Sequence, residues 1–378
     1  IGTGPYYLER YEPSIGFTLK RNPEFWDKDE ALIETIEQPI IPEYATSLAQ
    51  FKACGIYYMG RVRQEEILQV KGEEPRLLVY ENDLTAFDEA HPLAFGWLPE
   101  GKSPFLDERV RQAISMSWDR DLYLEAFHNI PGFTSQGLPV ESRWNSHVSP
   151  TGRSEAYWLD PKGKDFGPNA KYFQHDIAEA KKLLAAAGYP DGIKDVLATQ
   201  VAGSAIPMAR HAEVVNAFHN EIGISAKVNV VDYTSDYIPN YRSGKGQYEG
   251  YAYASQAGGG AGDIASRLAV GYWSKGGAAS YRGFSISGRN DQSGDPQLDS
   301  LIEKARIERD SERLKTLVYD IQRHLAKGLY DIQAPGVATG FTMAWPVLSN
   351  FRVYPNASGD YQHYRMWIDE TKPPFTNA

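Results

Sequence analysis

Residues 103–127, SPFLDERVRQAISMSWDRDLYLEAF, constrain this chain more than any other stretch. Asp107 can accept the free N–H groups of a first helical turn, and Val110, Ala113, Ile114 and Trp118 follow at helical spacing, so a helix with one buried face is predicted. Asp119 offers a second cap, after which Leu122, Leu124 and Phe127 carry another short apolar face. Two helices meeting at a capped corner need a body of chain to bury those faces. A length of 378 residues, 42% hydrophobic and 23% charged, supplies one, as two domains or one large one.

Charge and composition narrow the function. The balance of 39 Lys and Arg against 49 Asp and Glu leaves a net charge of −10, with no basic cluster, which argues against nucleic acid as a partner. The one cysteine, Cys54, excludes an internal disulfide and a multi-cysteine metal site, and is expected as a small buried hydrophobe in the helical run 45–54. The longest uncharged run, 332–351, contains Pro335 and Pro346 and is not a spanning helix. Neither a signal peptide nor a lipid-attachment cysteine opens the chain. His211 and His219 lie about two turns apart on a predicted helix, where two surface histidines are expected, and no His-Glu-x-x-His spacing or Gly-x-Ser-x-Gly elbow occurs. No catalytic residue, metal or cofactor is therefore assigned.

Along the chain, strands and helices alternate. Residues 2–26 read as two strands around a turn, with Trp26 as an aromatic pinning the Asn22-Pro23 corner. Helices are predicted over 43–54, 178–187 behind an Asp176/Glu179 capping box, from Pro207 to Ile222, and over 297–305 and 311–327. Ile224, Ala226, Val228 and Val230 alternate as the inward side of a half-buried strand. Residues 129–175 form a long irregular excursion whose Trp144, Tyr157, Trp158, Tyr172 and Phe173 either pin it to the body or stack on a ligand. The alternation favours an α/β fold.

The run PFLDERVRQAISMSWDRD, together with GTGPY at residues 2–6, RNPEFW at 21–26 and AKKLLAAAGYP at 180–190, resembles the family 5 extracellular solute-binding proteins, the peptide, nickel and oligosaccharide receptors of ABC importers. The resemblance implies a two-lobed, periplasmic-binding-protein-like α/β fold of type II with long insertions. Residues 1–92 would be part of the first lobe, 93–340 the second, and 341–378 a return to the first. The chain would be the larger, C-terminal portion of a longer receptor, without the start of its first lobe. Implied with it are a monomer that is not an enzyme, capture of a solute between two lobes, and delivery to ABC permease subunits in the membrane. The location is extracytoplasmic, periplasmic or at the cell surface, membrane-associated through the missing portion or free.

In that family a strand end carries a Trp and, three residues on, an Asp that holds a peptide's ammonium. Tyr253 stands in the first position and Gln256 in the second. A neutral amide hydrogen-bonds a hydroxyl but does not neutralise a buried ammonium. Asp263 substitutes if the glycine run 258–260 turns it inward, or else caps the next helix. Arg210 lies where a family Arg reaches a peptide carboxylate, a surface salt bridge being its other role. Trp97 follows Gly96, where the family commonly has Asn. Tyr253, Trp273, Tyr281 and Trp97 with Gln256 suit a neutral polar ligand such as an oligosaccharide, whose ring faces stack on aromatics. The alternatives are a hydrolase using the same cleft and a non-transport, chaperone-like binder on the same fold.

Overall fold

The computed structural model describes residues 2–59, 62–82, 92–99, 101–138, 140–201, 208–253, 263–276, 293–352 and 363–376. The chain divides into two compact units: Ile1–Phe87, Ala126–Glu141 and Thr339–Ala378 form one, and Asp88–Glu125 with Ser142–Ala338 the other. Residues 126–141, read from sequence within a continuous second lobe, go with the first unit. Phe133 is the reason, since its ring lies 4.3 Å from that of Phe341 in the first unit's core.

The first unit builds its core on the sheet of Tyr58–Met59, Gly340–Ala344 and Leu78–Asn82, with Gly340–Ala344 central and antiparallel to both neighbours. Phe51, Ile67, Met343, Trp345 and Val347 fill it. The helix Tyr44–Lys52 covers this sheet, and Trp345 Nε1 donates 2.7 Å to the Phe51 carbonyl near its end. Cys54, only partly buried, takes the left-handed position after the helix at φ 63°. A second sheet is the hairpin Tyr6–Glu12 and Gly16–Arg21 with Thr35–Pro39. Its corner departs from expectation: Phe25 is buried, whereas Trp26 is 77% exposed, its ring 5.4 Å from that of Phe25.

The second unit carries a five-stranded sheet in the order Asp331–Ile332, Leu93–Phe95, Tyr251–Tyr253, Val196–Val201, Ala226–Val231. The last three strands are mutually parallel, and Leu93–Phe95 runs against its two neighbours. Val228 and Val230 are 54% and 55% exposed, while Val231 is buried, so the edge strand turns the face expected inside to solvent. An edge strand is held from one side only, and here its register follows the pairing with Val196–Val201.

The predicted helices form where the caps place them. Asp107 accepts from Arg109 N in Glu108–Ser117, Asp176 from Glu179 N in Ile177–Ala186, and Asp119 from Leu122 N at the start of Arg120–Phe127. Pro296–Ile307 and Ser311–Gly328 lie against each other with Leu298, Ile302, Val318, Ile321 and Leu325 buried. In the excursion, Trp144 donates to Asp121 and Trp158 to the Trp144 carbonyl, which fastens these rings to the body.

Candidate functional site

Three side chains of the 103–127 stretch organise the second unit from within. The Arg111 guanidinium donates to the carbonyls of Gly328 at 2.7 Å, Phe105 at 2.5 Å and Leu106 at 3.2 Å, while Gln112 reaches the Lys327 carbonyl. Arg120 donates to the carbonyls of Ser115 and Phe173 at 3.0 and 2.6 Å and lies over the Phe173 ring at 5.0 Å. Burial lowers their pKa values to about 10 and about 9, which leaves both charged at neutral pH. Both arginines thus tie loop carbonyls to the helix corner.

Behind the strand Tyr251–Tyr253 runs a directed chain of hydrogen bonds. Trp118 Nε1 donates to His219 Nε2 at 2.9 Å, so the neutral His219 carries its proton on Nδ1, 3.1 Å from the Tyr251 hydroxyl. The hydroxyls of Tyr251 and Tyr253 both donate to Asn216 Oδ1, at 2.9 and 2.6 Å. His211 meets the Tyr123 hydroxyl at 2.8 Å. The two histidines expected on the surface are buried, because the helix Met208–Glu221 turns this polar face onto the sheet. Burial, and to a lesser degree His211, pushes the His219 pKa down to about 3.

One edge of the sheet gathers the strand ends. Tyr253 pairs with Leu93, and Leu93 with Ile332, so the carboxyl ends of the other four strands and the entry of Leu93–Phe95 lie together. In open α/β sheets ligands bind outside this edge. The helices Met208–Glu221 and Ile264–Tyr272 each follow such a strand end in sequence. Just inside the edge sits a buried polar cluster. The Asp331 carboxylate accepts from the Tyr272 hydroxyl at 2.9 Å and from Gln333 Nε2 at 2.9 Å, with His147 Nε2 at 3.7 Å. Gln333 Nε2 also donates to the Tyr272 hydroxyl at 3.2 Å. Sequence reasoning passed over this group, although Asp331 and Gln333 are polar residues at strand spacing inside the otherwise apolar run 329–338, which is the signal of a polar spot on a buried face.

The residues selected from sequence are not brought together. Tyr253 is fully buried, its hydroxyl spent on Asn216 and its ring 5.5 Å from His211, so no face of it is open to a solute. Trp97 is likewise core, beside Phe95 and the Arg111 guanidinium. Its neighbour Gly96 lies on the Tyr248 carbonyl, and a Cβ there would sit 2.1 Å from that oxygen, which is why no asparagine occupies the position. Asp263 caps its helix, with Oδ1 accepting from Ser266 N and Oδ2 from Ser266 Oγ. Trp273 ends the same helix, about 14 Å away at 1.5 Å per residue, half-buried against Glu303 and Arg306. Arg210 is exposed in the first turn of Met208–Glu221. Gln256 and Tyr281 lie outside the described residues.

Comparison with known proteins adds the ancestry. A family model described as bacterial extracellular solute-binding proteins, family 5 Middle, matches residues 1–276. The dipeptide-binding protein of Escherichia coli K12 is 23% identical over 251 residues, covering 65% of this chain and 41% of its own. The chain thus spans about two fifths of that relative's length. Among solved structures, a periplasmic binding protein from A. tumefacien R10 in complex with agropinic acid superposes with a TM-score of 0.73 at 17% identity, covering 97% of this chain and 67% of that one. A periplasmic binding protein from Helicobacter pylori in complex with the peptide STSA gives 0.69 at 19% identity, covering 97% and 63%. These likenesses show the two-lobed α/β fold.

Proposed function

The chain belongs to the bacterial extracellular solute-binding proteins of family 5, and from that premise we propose that it is the larger part of an ABC importer's solute receptor, binding a peptide or oligosaccharide-type solute and delivering it to permease subunits in the membrane. Its two compact units serve as the two lobes of a monomeric, extracytoplasmic receptor without catalytic activity.

The observation that carries the reading is the strand edge: four carboxyl ends lie there, which is where this class of sheet holds ligands. Arg210, in the first turn of a helix that follows one of those strands, is the candidate partner for a solute carboxylate. Trp273, at the end of the helix Ile264–Tyr272, is the candidate aromatic contact among the described residues, with Gln256 and Tyr281 kept as candidates from the sequence.

The test is calorimetric titration and thermal shift of the full-length receptor with trialanine, raffinose and a nickel–histidine complex. One class should bind, and at a hundred times its Kd it should stabilise the protein by about 2.7 kcal/mol. Arg210→Ala should weaken trialanine about tenfold and leave raffinose unchanged. Absence of any response overturns the receptor reading.

A further inference from the structure

Resting on that receptor reading, in which two lobes close on a solute, we propose that the Thr339 hydroxyl sets the balance between the open and the closed receptor and so tunes affinity for every solute by one common factor.

Two of the four places where the chain changes unit run side by side. The chain leaves the first unit after Glu141 and re-enters it at Thr339, and the residues just beyond, Ser142–Trp144 and Gly336–Ala338, pair as an antiparallel ribbon. On the second unit's side the ribbon is held fast. Asn145 N donates to the Pro335 carbonyl at 3.3 Å and its Nδ2 to the Ala334 carbonyl at 3.1 Å. Gly336 lies so close to Arg143 that a Cβ would sit 2.3 Å from its carbonyl oxygen. On the first unit's side Gly340–Ala344 is the central strand of its sheet, and Gln64 grips its second residue. Its Oε1 accepts from Phe341 N at 2.8 Å and its Nε2 donates to the Phe341 carbonyl at 3.0 Å. Bending is therefore left to the pair in the middle, Glu141 and Thr339. Of the other crossings, the one after 125 lies inside the helix Arg120–Phe127, a rigid rod, and the one after 87 lies outside the described residues.

This middle pair is bonded unlike the ladders on either side of it. Carried one residue further, the ribbon would set Glu141 opposite Thr339 with two backbone hydrogen bonds exchanged. One of them forms, from Thr339 N to the Glu141 carbonyl at 2.8 Å. The Glu141 N–H donates instead to Thr339 Oγ1, at 3.0 Å. A ladder carbonyl turns with its peptide plane, whereas a hydroxyl turns with its own χ1, so this bond is kept or lost as the backbone at 339 reorients. Thr339 is buried, where water does not replace a lost acceptor, so the conformation that keeps the bond is favoured. Apparent affinity then scales with the fraction of receptor in the competent state. Thr339 is a positioning residue, since its hydroxyl acts on the Glu141 backbone and not on the solute.

The experiment uses the full-length receptor, with trialanine, tetraalanine, raffinose, stachyose and a nickel–histidine complex as probes. Single-molecule FRET, one dye on each unit, reads the open and closed populations without solute. Thr339→Val keeps the shape and removes the hydroxyl. It should change the ratio of the two populations at least threefold, and change the Kd of every probe that wild type binds by the same factor, tighter where the closed state gains and weaker where it loses. Thr339→Ser restores the hydroxyl and should return both readings to within twofold of wild type, which a loss of packing alone would not do. Thr339→Ala should behave as Thr339→Val, and decides the matter where that variant does not fold. Populations and affinities changed less than threefold overturn the proposal and leave the receptor standing. Affinity changes that differ among the probes, or run against the FRET shift, do the same, whereas binding of no probe by wild type overturns the receptor reading itself.

Discussion

At the scale of single residues, this protein's second unit is organised by polar side chains that carry hydrogen bonds in the interior. His219 shows the consequence most directly. Its folded-state pKa of about 3 lies below the ordinary 6.5, so the unfolded chain takes up a proton that the native state refuses. Stability is therefore complete above pH 6.5 and falls as pH drops toward 3, at up to about 1.4 kcal/mol per pH unit from this one group. Urea midpoints measured from pH 7 to pH 4 should show that slope, and His219→Gln should flatten it by close to one proton while lowering stability at pH 7. Asn216 belongs to the same chain. Asn216→Leu leaves two tyrosine hydroxyls without their acceptor and should cost about 2–3 kcal/mol, much of it recovered when Tyr251→Phe and Tyr253→Phe are added. None of this was legible in the sequence beyond residue identity, because the partners lie on elements far apart in the chain.

At the scale of elements, the two kinds of glycine separate cleanly. Gly72 lies inside the helix Ile67–Glu73 with open space where a Cβ would go, and Gly72→Ala should stabilise by about 0.5–1 kcal/mol through helix propensity. Gly96 abuts the Tyr248 backbone, and Gly96→Ala must push two packed segments apart, costing about 2 kcal/mol or more. Thermal denaturation of the two variants should give shifts of opposite sign. Helix starts were readable here because a cap is a local device: Asp107, Asp119 and Asp176 each bond a backbone N–H two or three residues on. The face of an edge strand was not. Val228 and Val230 alternate as a buried pair would, yet it is the neighbouring strand's pairing that turns them outward.

At the scale of the whole molecule, two units each own a core, the first around Phe51, Trp345 and Met343, the second including Ile114, Ile302 and Leu325. Truncating one core should be felt first by its own unit. Phe51→Ala and Ile302→Ala should each cost about 3–4 kcal/mol, and scanning calorimetry should show different parts of the unfolding profile shifting in the two variants. The chain crosses between units four times, after 87, 125, 141 and 338, so the first unit is assembled from three separated pieces of sequence.

The sequence by itself determined the α/β class, the capped helix corner at 103–127 and the family, because caps, apolar periods and a run of side chains such as RVRQA act within a turn or two of themselves. Only the tertiary structure decided which polar residues face a site. Trp97 and Tyr253, candidate stacking surfaces from the sequence, are core, whereas Asp331 and Gln333, which the sequence did not single out, form a buried polar cluster at the end of a strand. The reason is that burial and approach to a ligand depend on which strands pair and where their ends meet, and those pairings join residues as far apart as Leu93 and Ile332.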